Sequence, residues 1–313
     1  MTAAEQPFYL FTSVPPRLSG DELQHQREII SSWRAAGFTP VTVNGPSEIA
    51  QIAAYNLEIE IETASDDGKP LLSDILTAIR KKHGHRAGII NADCKMLEYP
   101  HLTATLETVL ENGLLYAERV DIGDGRPPTV GDCQGFDAFF FNVGLLRGVN
   151  DSHMRLGETW WDYWLPLQLA ANGAVLGNIG RPVIVHRRHA ARWSEEGWFS
   201  NARRVWTMIK GWRHQNAIPA FISSLNFDTS SDSLDRGQIV AFSGECFQWL
   251  RTRKFPRELT YLSHDLEDIE GLFPDIASSE RESEPSMSWP RRLNRKRLGW
   301  QRRIFGRRRI AAR

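Results

Sequence analysis

The sequence predicts an α/β fold, with a mainly parallel sheet flanked by helices and a helical part at the C-terminal end. Three observations carry that expectation. Short apolar and β-branched runs alternate with helical periodicity over the first half of the chain, the habit of strands joined by helical crossovers. Polar residues gather just past the ends of those runs, above all at 91–93, and open α/β sheets bind ligands outside the carboxyl ends of their strands. Beyond Trp193 the pattern turns helical.

Residues 8–13 read as the first strand. Ser19-Gly20-Asp21-Glu22 is a capping box, after which Leu23, Ile29, Ile30 and Trp33 recur at helical spacing until Gly37 supplies a stop. Residues 41–43 form a second strand, 47–55 a short helix, and 57–61 alternate like a half-exposed strand. Pro70 opens a helix reaching Ile79. A strand at 87–90 runs into Asn91-Ala92-Asp93, followed by a helix at 102–110 and a strand at 114–117. Residues 121–134, rich in Gly, Pro and Asp, read as a loop, and strand character resumes at 136–141. Helical periodicity covers 158–172, and strands follow at 174–176 and 182–185; beyond Trp193 the pattern is helical with Trp198, Val205, Met208 and Ile209 on one face, and another helical segment lies near 238–250.

At 313 residues the chain is long enough for one large domain or two small ones. Cys94, Cys133 and Cys246 have no C-x-x-C spacing and match no zinc pattern, so a reducing compartment is expected. Eleven of the 38 basic residues fall between Arg291 and Arg313, with no acidic residue among them. The other 27 face all 38 acidic residues, leaving the body of the chain acidic. No apolar stretch approaches the roughly 18 residues that span a bilayer, and the first residues lack a leader pattern. The expected location is cytoplasmic, with peripheral attachment at the inner face of the membrane.

Asp93, on a turn after an apolar strand, offers the hard oxygen that Mn²⁺ or Mg²⁺ takes when it bridges phosphates. Alone it reads more readily as a turn former or helix cap. Companion motifs change its weight. Phe11-Thr12-Ser13-Val14-Pro15 with Gln26 and Ser32-Trp33, then Ile90-Asn91-Ala92-Asp93, then 135–141, then Trp161-Asp162-Tyr163-Trp164-Leu165 followed by Val185-His186-Arg187-Arg188-His189, occur in an order that resembles GT-A-type glycosyltransferases and related nucleotide-diphospho-sugar transferases. The resemblance implies a GT-A-like, Rossmann-like core at 7–190, with 191–275 as a helical part packed on it. Residues 276–313 would be a disordered Ser/Glu/Pro-rich linker and basic tail.

By position, the resemblance implies Asp93 as a metal ligand at the end of an Asp-x-Asp-like triplet whose first acid is replaced by Asn91. His186 or His189 would complete a partial shell for Mn²⁺ or Mg²⁺, or else hold a structural place at the surface. Arg187 and Arg188 would bind diphosphate or pair with surface acids. Thr12, Ser13, Asp74, Asn91 and Asp137 would contact the donor, although Asp137 reads equally as an ion-pair partner of an arginine such as Arg155.

Glu158 and Asp162 are four residues apart and would share a helix face. Asp162, among Trp160, Trp161, Tyr163 and Trp164, is the favoured mechanistic carboxylate and Glu158 the second choice, beside flat faces on which sugars stack. The expected activity is transfer of a sugar from a nucleotide-sugar donor, of the UDP-sugar class, to a carbohydrate or lipid-linked acceptor. A donor-binding protein without turnover and a nucleotidyltransferase are the competing readings, the latter disfavoured because 14–18 is not Gly-rich. The tail from Arg291 to Arg313 interleaves basic and apolar residues and reads as an anionic-membrane contact, a nucleic-acid contact or a solvated tail. The acidic body argues against nucleic acid as a partner.

Overall fold

Strand β1 (Phe8–Thr12) leads through Ser19 into helix α1 (Gly20–Ala35), and the expected capping box is present, Glu22 accepting from the Ser19 backbone N–H at 2.8 Å. The chain continues as β2 (Phe38–Asn44), α2 (Ile49–Ala54), β3 (Glu60–Thr63), α3 (Leu72–Lys81), β4 (Arg86–Ile90), β5 (Cys94–Met96), α4 (Leu102–Val109), β6 (Gly113–Ala117), β7 (Val120–Ile122), β8 (Thr129–Val130) and β9 (Ala138–Asn142). It closes with α5 (Trp161–Ala171), β10 (Val175–Asn178), β11 (Ile184–Arg187), α6 (Glu195–Gly211), α7 (Ile218–Ser224) and α8 (Arg236–Arg251). This computed structural model describes residues 6–99, 102–111, 113–123, 128–130, 135–149, 153–180, 182–189 and 193–254. The expected linker and the basic tail lie outside the described residues.

The main sheet has seven strands in the order β10-β6-β9-β4-β1-β2-β3. Every pairing in it is parallel except those of β9, which runs antiparallel to both β4 and β6. Each face is covered, so neighbouring residues on a strand enter different cores. Leu10, Ile90 and Phe140 pack with Ile29, Trp33 and Leu106 on one side. Phe11, Ile89, Phe139 and Phe141 pack on the other with residues of α3, α5, α6, α7 and α8. The three C-terminal helices are therefore continuous with the apolar core of the sheet.

A second sheet, β5-β11-β7-β8, stands at the carboxyl edge of the first. The sequence concealed it: β5 follows the Asn91-Ala92-Asp93 turn directly, and β7 and β8 fall in the segment read as a loop. Three strands of two or three residues are too short to show a period, and only their pairing, β5 and β7 with β11 and β8 with β7, makes them strands. Helix α7 was likewise not anticipated.

The region before α5 corrects a stronger expectation. Gly157 (φ +75°) and Trp160 (φ +75°) are left-handed, so no α-helix runs through 158–160 and α5 starts at Trp161. Glu158 and Asp162 therefore do not share a helix face. Nor do the surrounding aromatics offer sugar platforms: Trp160, Trp161, Tyr163 and Trp164 are all at most 4% exposed. Trp160 stacks on Phe242 at 5.2 Å and meets Tyr163 and Trp198 at 5.3 Å each, so the packing that buries it also holds its unusual backbone.

Helix α1 ties the edge sheet to the core through Trp33, whose buried indole N–H donates to the Cys94 carbonyl at 2.9 Å. Trp33→Phe removes that bond and part of the packed ring, and is expected to destabilise the fold by about 1–3 kcal/mol, read as a lower urea midpoint with an unchanged slope.

Candidate metal and donor site

Strand β4 delivers its apolar residues to the sheet and ends at Ile90, so Asn91 is the first residue whose side chain is free of the core. Its backbone is pinned from the neighbouring strand, Asn91 N–H donating to Asp137 O at 3.0 Å, and the turn closes when Cys94 N–H donates to Asn91 O at 3.1 Å. From below, α1 holds the same segment: Gln26 Nε2 donates to Ala92 O at 2.9 Å, and Met96 N–H to Ser32 Oγ at 3.0 Å. The Gln26 and Ser32-Trp33 positions that the sequence marked are thus the supports of the Asp93 turn.

β5 then pairs antiparallel with β11, Cys94 opposite His186 and Lys95 opposite Val185. That register carries Asp93 to the histidines. Asp93 Oδ2 lies 3.2 Å from His189 Nε2 and 3.5 Å from His186 Nε2, and the two ring nitrogens are 3.1 Å apart. The three ligating atoms fall within 4.8 Å of one another. Two imidazole lone pairs cannot face each other at such a distance without a proton or a cation between them. The donor set of one carboxylate oxygen and two imidazole nitrogens suits a borderline divalent ion such as Mn²⁺ better than Mg²⁺, which prefers oxygen throughout. The residues present therefore fit a metal, and Asp93, with its side chain 47% exposed, leaves one side of the cluster open.

His186 is 2% exposed, and Asp121 takes its other ring nitrogen, Nδ1, at 2.8 Å. Burial works against the charged ring, but the carboxylates of Asp121 and Asp93 outweigh it and raise its pKa. Partial desolvation opposes ionisation of Asp93, yet hydrogen bonds with His186 and His189 hold its carboxyl well below the usual range. Asp121 is also lowered: burial opposes ionisation, but its bond to His186 and the charge of Arg119 prevail. Neither Asp121 nor Arg119 was singled out in the sequence. The apolar-polar-apolar run Val120-Asp121-Ile122 was the available signal, masked by the Gly/Pro-rich stretch after it.

Arg119 links this cluster to Asp137, with guanidinium nitrogens 2.9 Å from Asp121 Oδ1 and 3.6 Å from Asp137 Oδ1. Asp137 is 6% exposed, and burial raises its pKa against the pull of Arg119. The Asn91 amide donates to the same Asp137 oxygen. The cation beside Asp137 is thus Arg119 and not Arg155, whose guanidinium donates to the Lys69 carbonyl.

The other residues marked in the sequence divide. Asp162 stands in the first turn of α5 and accepts from Phe136 N–H at 3.3 Å. Burial, reinforced by the negative charge of Asp137, pushes its carboxyl up to about 7 despite the backbone N–H groups at the helix start. Its approach needs Gly135, where a Cβ would come 2.6 Å from Asp162 Oδ2. Glu158 stands apart on the turn before the helix. Thr12 is fully buried at the end of β1 and its hydroxyl has no hydrogen-bond partner among the described residues, which is rare for a buried polar atom. Ser13 is half-buried beside it, and the next residue is held from β2, Val14 N–H donating to Thr42 Oγ1 at 2.9 Å. Asp74 has both carboxylate oxygens on backbone N–H groups, those of Ser65 and Leu71 at 3.1 Å each, so it serves as the cap of α3.

Asn91→Asp would complete an Asp-x-Asp triplet, yet it would set a second carboxylate against buried Asp137. The variant is expected to melt at a lower temperature and to bind Mn²⁺ no more tightly than the wild type. Stronger Mn²⁺ binding with an unchanged melting temperature would contradict this account of why asparagine stands there.

No protein-family model matches the chain, and no curated protein matches it in sequence. Among solved structures it is similar to residues 1–349 of Staphylococcus aureus TarS in complex with UDP-GlcNAc, at 12% identity and TM-score 0.46, over 79% of this chain and 74% of that one. It is also similar to the mannosyltransferase PcManGT from Pyrobaculum calidifontis in complex with GDP-Man and Mn²⁺, at 11% identity and TM-score 0.41, over 88% and 82% of the two chains. A more partial similarity is to HddC from Yersinia pseudotuberculosis, at 10% identity and TM-score 0.29, over 45% and 78%. At these identities and scores the function must be read from the chain's own residues.

Proposed function

We propose that this chain is a glycosyltransferase that moves a sugar from a nucleoside-diphosphate donor, of the UDP-sugar class, to a carbohydrate or lipid-linked acceptor. The observation that carries the reading is the convergence of Asp93, His186 and His189 at the carboxyl edge of a mainly parallel sheet. These three side chains would hold a divalent ion, Mn²⁺ in preference to Mg²⁺, and when bound it would neutralise the charge developing on the diphosphate leaving group. Ser13, half-buried just past β1, would face the nucleoside, with the buried Thr12 beside it. The Asn91–Asp137 pair would offer an amide and a carboxylate to a donor hydroxyl. Asp162, with a carboxyl pushed up to about 7, is suited to take the proton of an acceptor hydroxyl near neutral pH. Glu158 and Asp74 take no part in this arrangement. Among the described residues no helix is long and apolar enough to cross a membrane. The basic segment from Arg291 to Arg313, with its interleaved apolar residues, would meet the anionic surface that carries a lipid-linked acceptor.

Purified protein incubated with a panel of UDP- and GDP-sugars is expected to release nucleoside diphosphate with Mn²⁺ and to stop doing so with EDTA. Asp93→Ala should lower the rate by about 100-fold or more, on the scale of a lost ligand or charge at a reacting centre. Undiminished activity in that variant rules the reading out, and donor binding without turnover leaves a nucleotide-sugar-binding protein.

Asp162 gives the reading a pH dependence. The rate should climb as pH rises through about 7, where the carboxyl loses its proton, and Asp162→Asn should be inactive at every pH. Stability moves the opposite way. The folded chain keeps this proton to a higher pH than the unfolded chain does, so the contribution is present in acid and is lost as pH rises through about 7. The melting temperature of Asp162→Asn should therefore fall less than that of the wild type between about pH 5 and about pH 8.

A further inference from the structure

We infer that Asp121 is a positioning residue of the metal site. It fixes the His186 ring so that Nε2 is presented to the ion, and Arg119 balances its charge. The inference rests on the metal reading of Asp93, His186 and His189 and extends it to residues that do not touch the ion.

The geometry is built into the sheet. β7 runs parallel to β11 with Asp121 in register with His186, so the two side chains leave neighbouring strands on one face. Asp121 Oδ1 meets His186 Nδ1 at 2.8 Å, and both residues are buried, at 5% and 2% exposure. A carboxylate can only accept, so the proton of this contact belongs to Nδ1 and the lone pair to Nε2. The Nε2 atom is the one lying 3.5 Å from Asp93 Oδ2 and 3.1 Å from His189 Nε2. A buried anion needs a counter-charge, and Arg119, 2.9 Å away, supplies it while also reaching Asp137. Removing Asp121 would leave His186 free to turn or to take the other tautomer. The side chains of Asp93 and His189 would stay in place.

The test is Mn²⁺ affinity, read by electron paramagnetic resonance of free Mn²⁺, with and without UDP, on folded full-length protein. Asp121→Asn is expected to weaken Mn²⁺ binding by about 10- to 100-fold, the usual effect of losing the partner that orients a histidine ligand. In a His186→Gln background the same substitution should cost nearly nothing, because its effect passes through that ring. Equal binding by the wild type and Asp121→Asn overturns the positioning role and leaves the metal site standing, as does a full penalty in the His186→Gln background. No Mn²⁺ binding by the wild type overturns the metal site and this role together. Should Asp121→Asn fail to fold, long-range ¹H–¹⁵N spectra of the Zn²⁺-loaded wild type decide the question: a proton on His186 Nδ1 supports the role, and one on Nε2 refutes it.

Discussion

The antiparallel pairing of Cys94–Met96 with Ile184–Arg187 is the constraint on which the site depends. Each strand alone is too short to persist, and each is held from elsewhere. Gln26, Ser32 and Trp33 of the first helix grip one from below, while Val120–Ile122 flanks the other. Once Cys94 lies opposite His186, the turn before it has little freedom, and the Asp93 carboxylate meets two imidazoles from the far part of the chain. A slip of one residue would turn His186 to the opposite face and disperse the cluster.

Four aspartates share this edge of the sheet, and their surroundings separate them. Asp93 and Asp121 bond to histidine and stay ionised, the latter with help from Arg119. In Asp137 and Asp162 burial prevails and raises both, Asp162 to about 7. Carboxylates of one kind are thus divided into anions fit to hold a cation and a group fit to exchange a proton, a division by environment alone. Asn91 belongs to the same balance: an amide beside Asp137 donates where a second carboxylate would repel.

The aromatic mass around Asp162 serves the site from behind. Trp160, Trp161 and Trp164 are spent in the core against Phe139, Phe242 and their neighbours, and no sugar can stack on them. Their contribution is rigidity. Trp160 is held in a left-handed backbone conformation, which starts α5 one residue later and aims Asp162 at the Phe136 N–H.

By itself the sequence determined the parts whose signal is local. Strand and helix alternation, the Ser19–Glu22 capping box and the polar break after Ile90 follow from periodicity and backbone chemistry over a few residues, while the resemblance of the motif series marked Asp93, His186 and His189 as residues to watch. The sequence misled where local periodicity ran across a backbone break, as with Glu158 and Asp162, and where apolar rings beside a polar residue looked like a surface. Only the tertiary structure decided which carboxylate meets which cation. Asp121 gains its place from a strand too short to show a period, with Arg119 just before it, and from a partner 65 positions away, and Asp137 takes Arg119 in place of Arg155 because the sheet, not the chain, sets that distance.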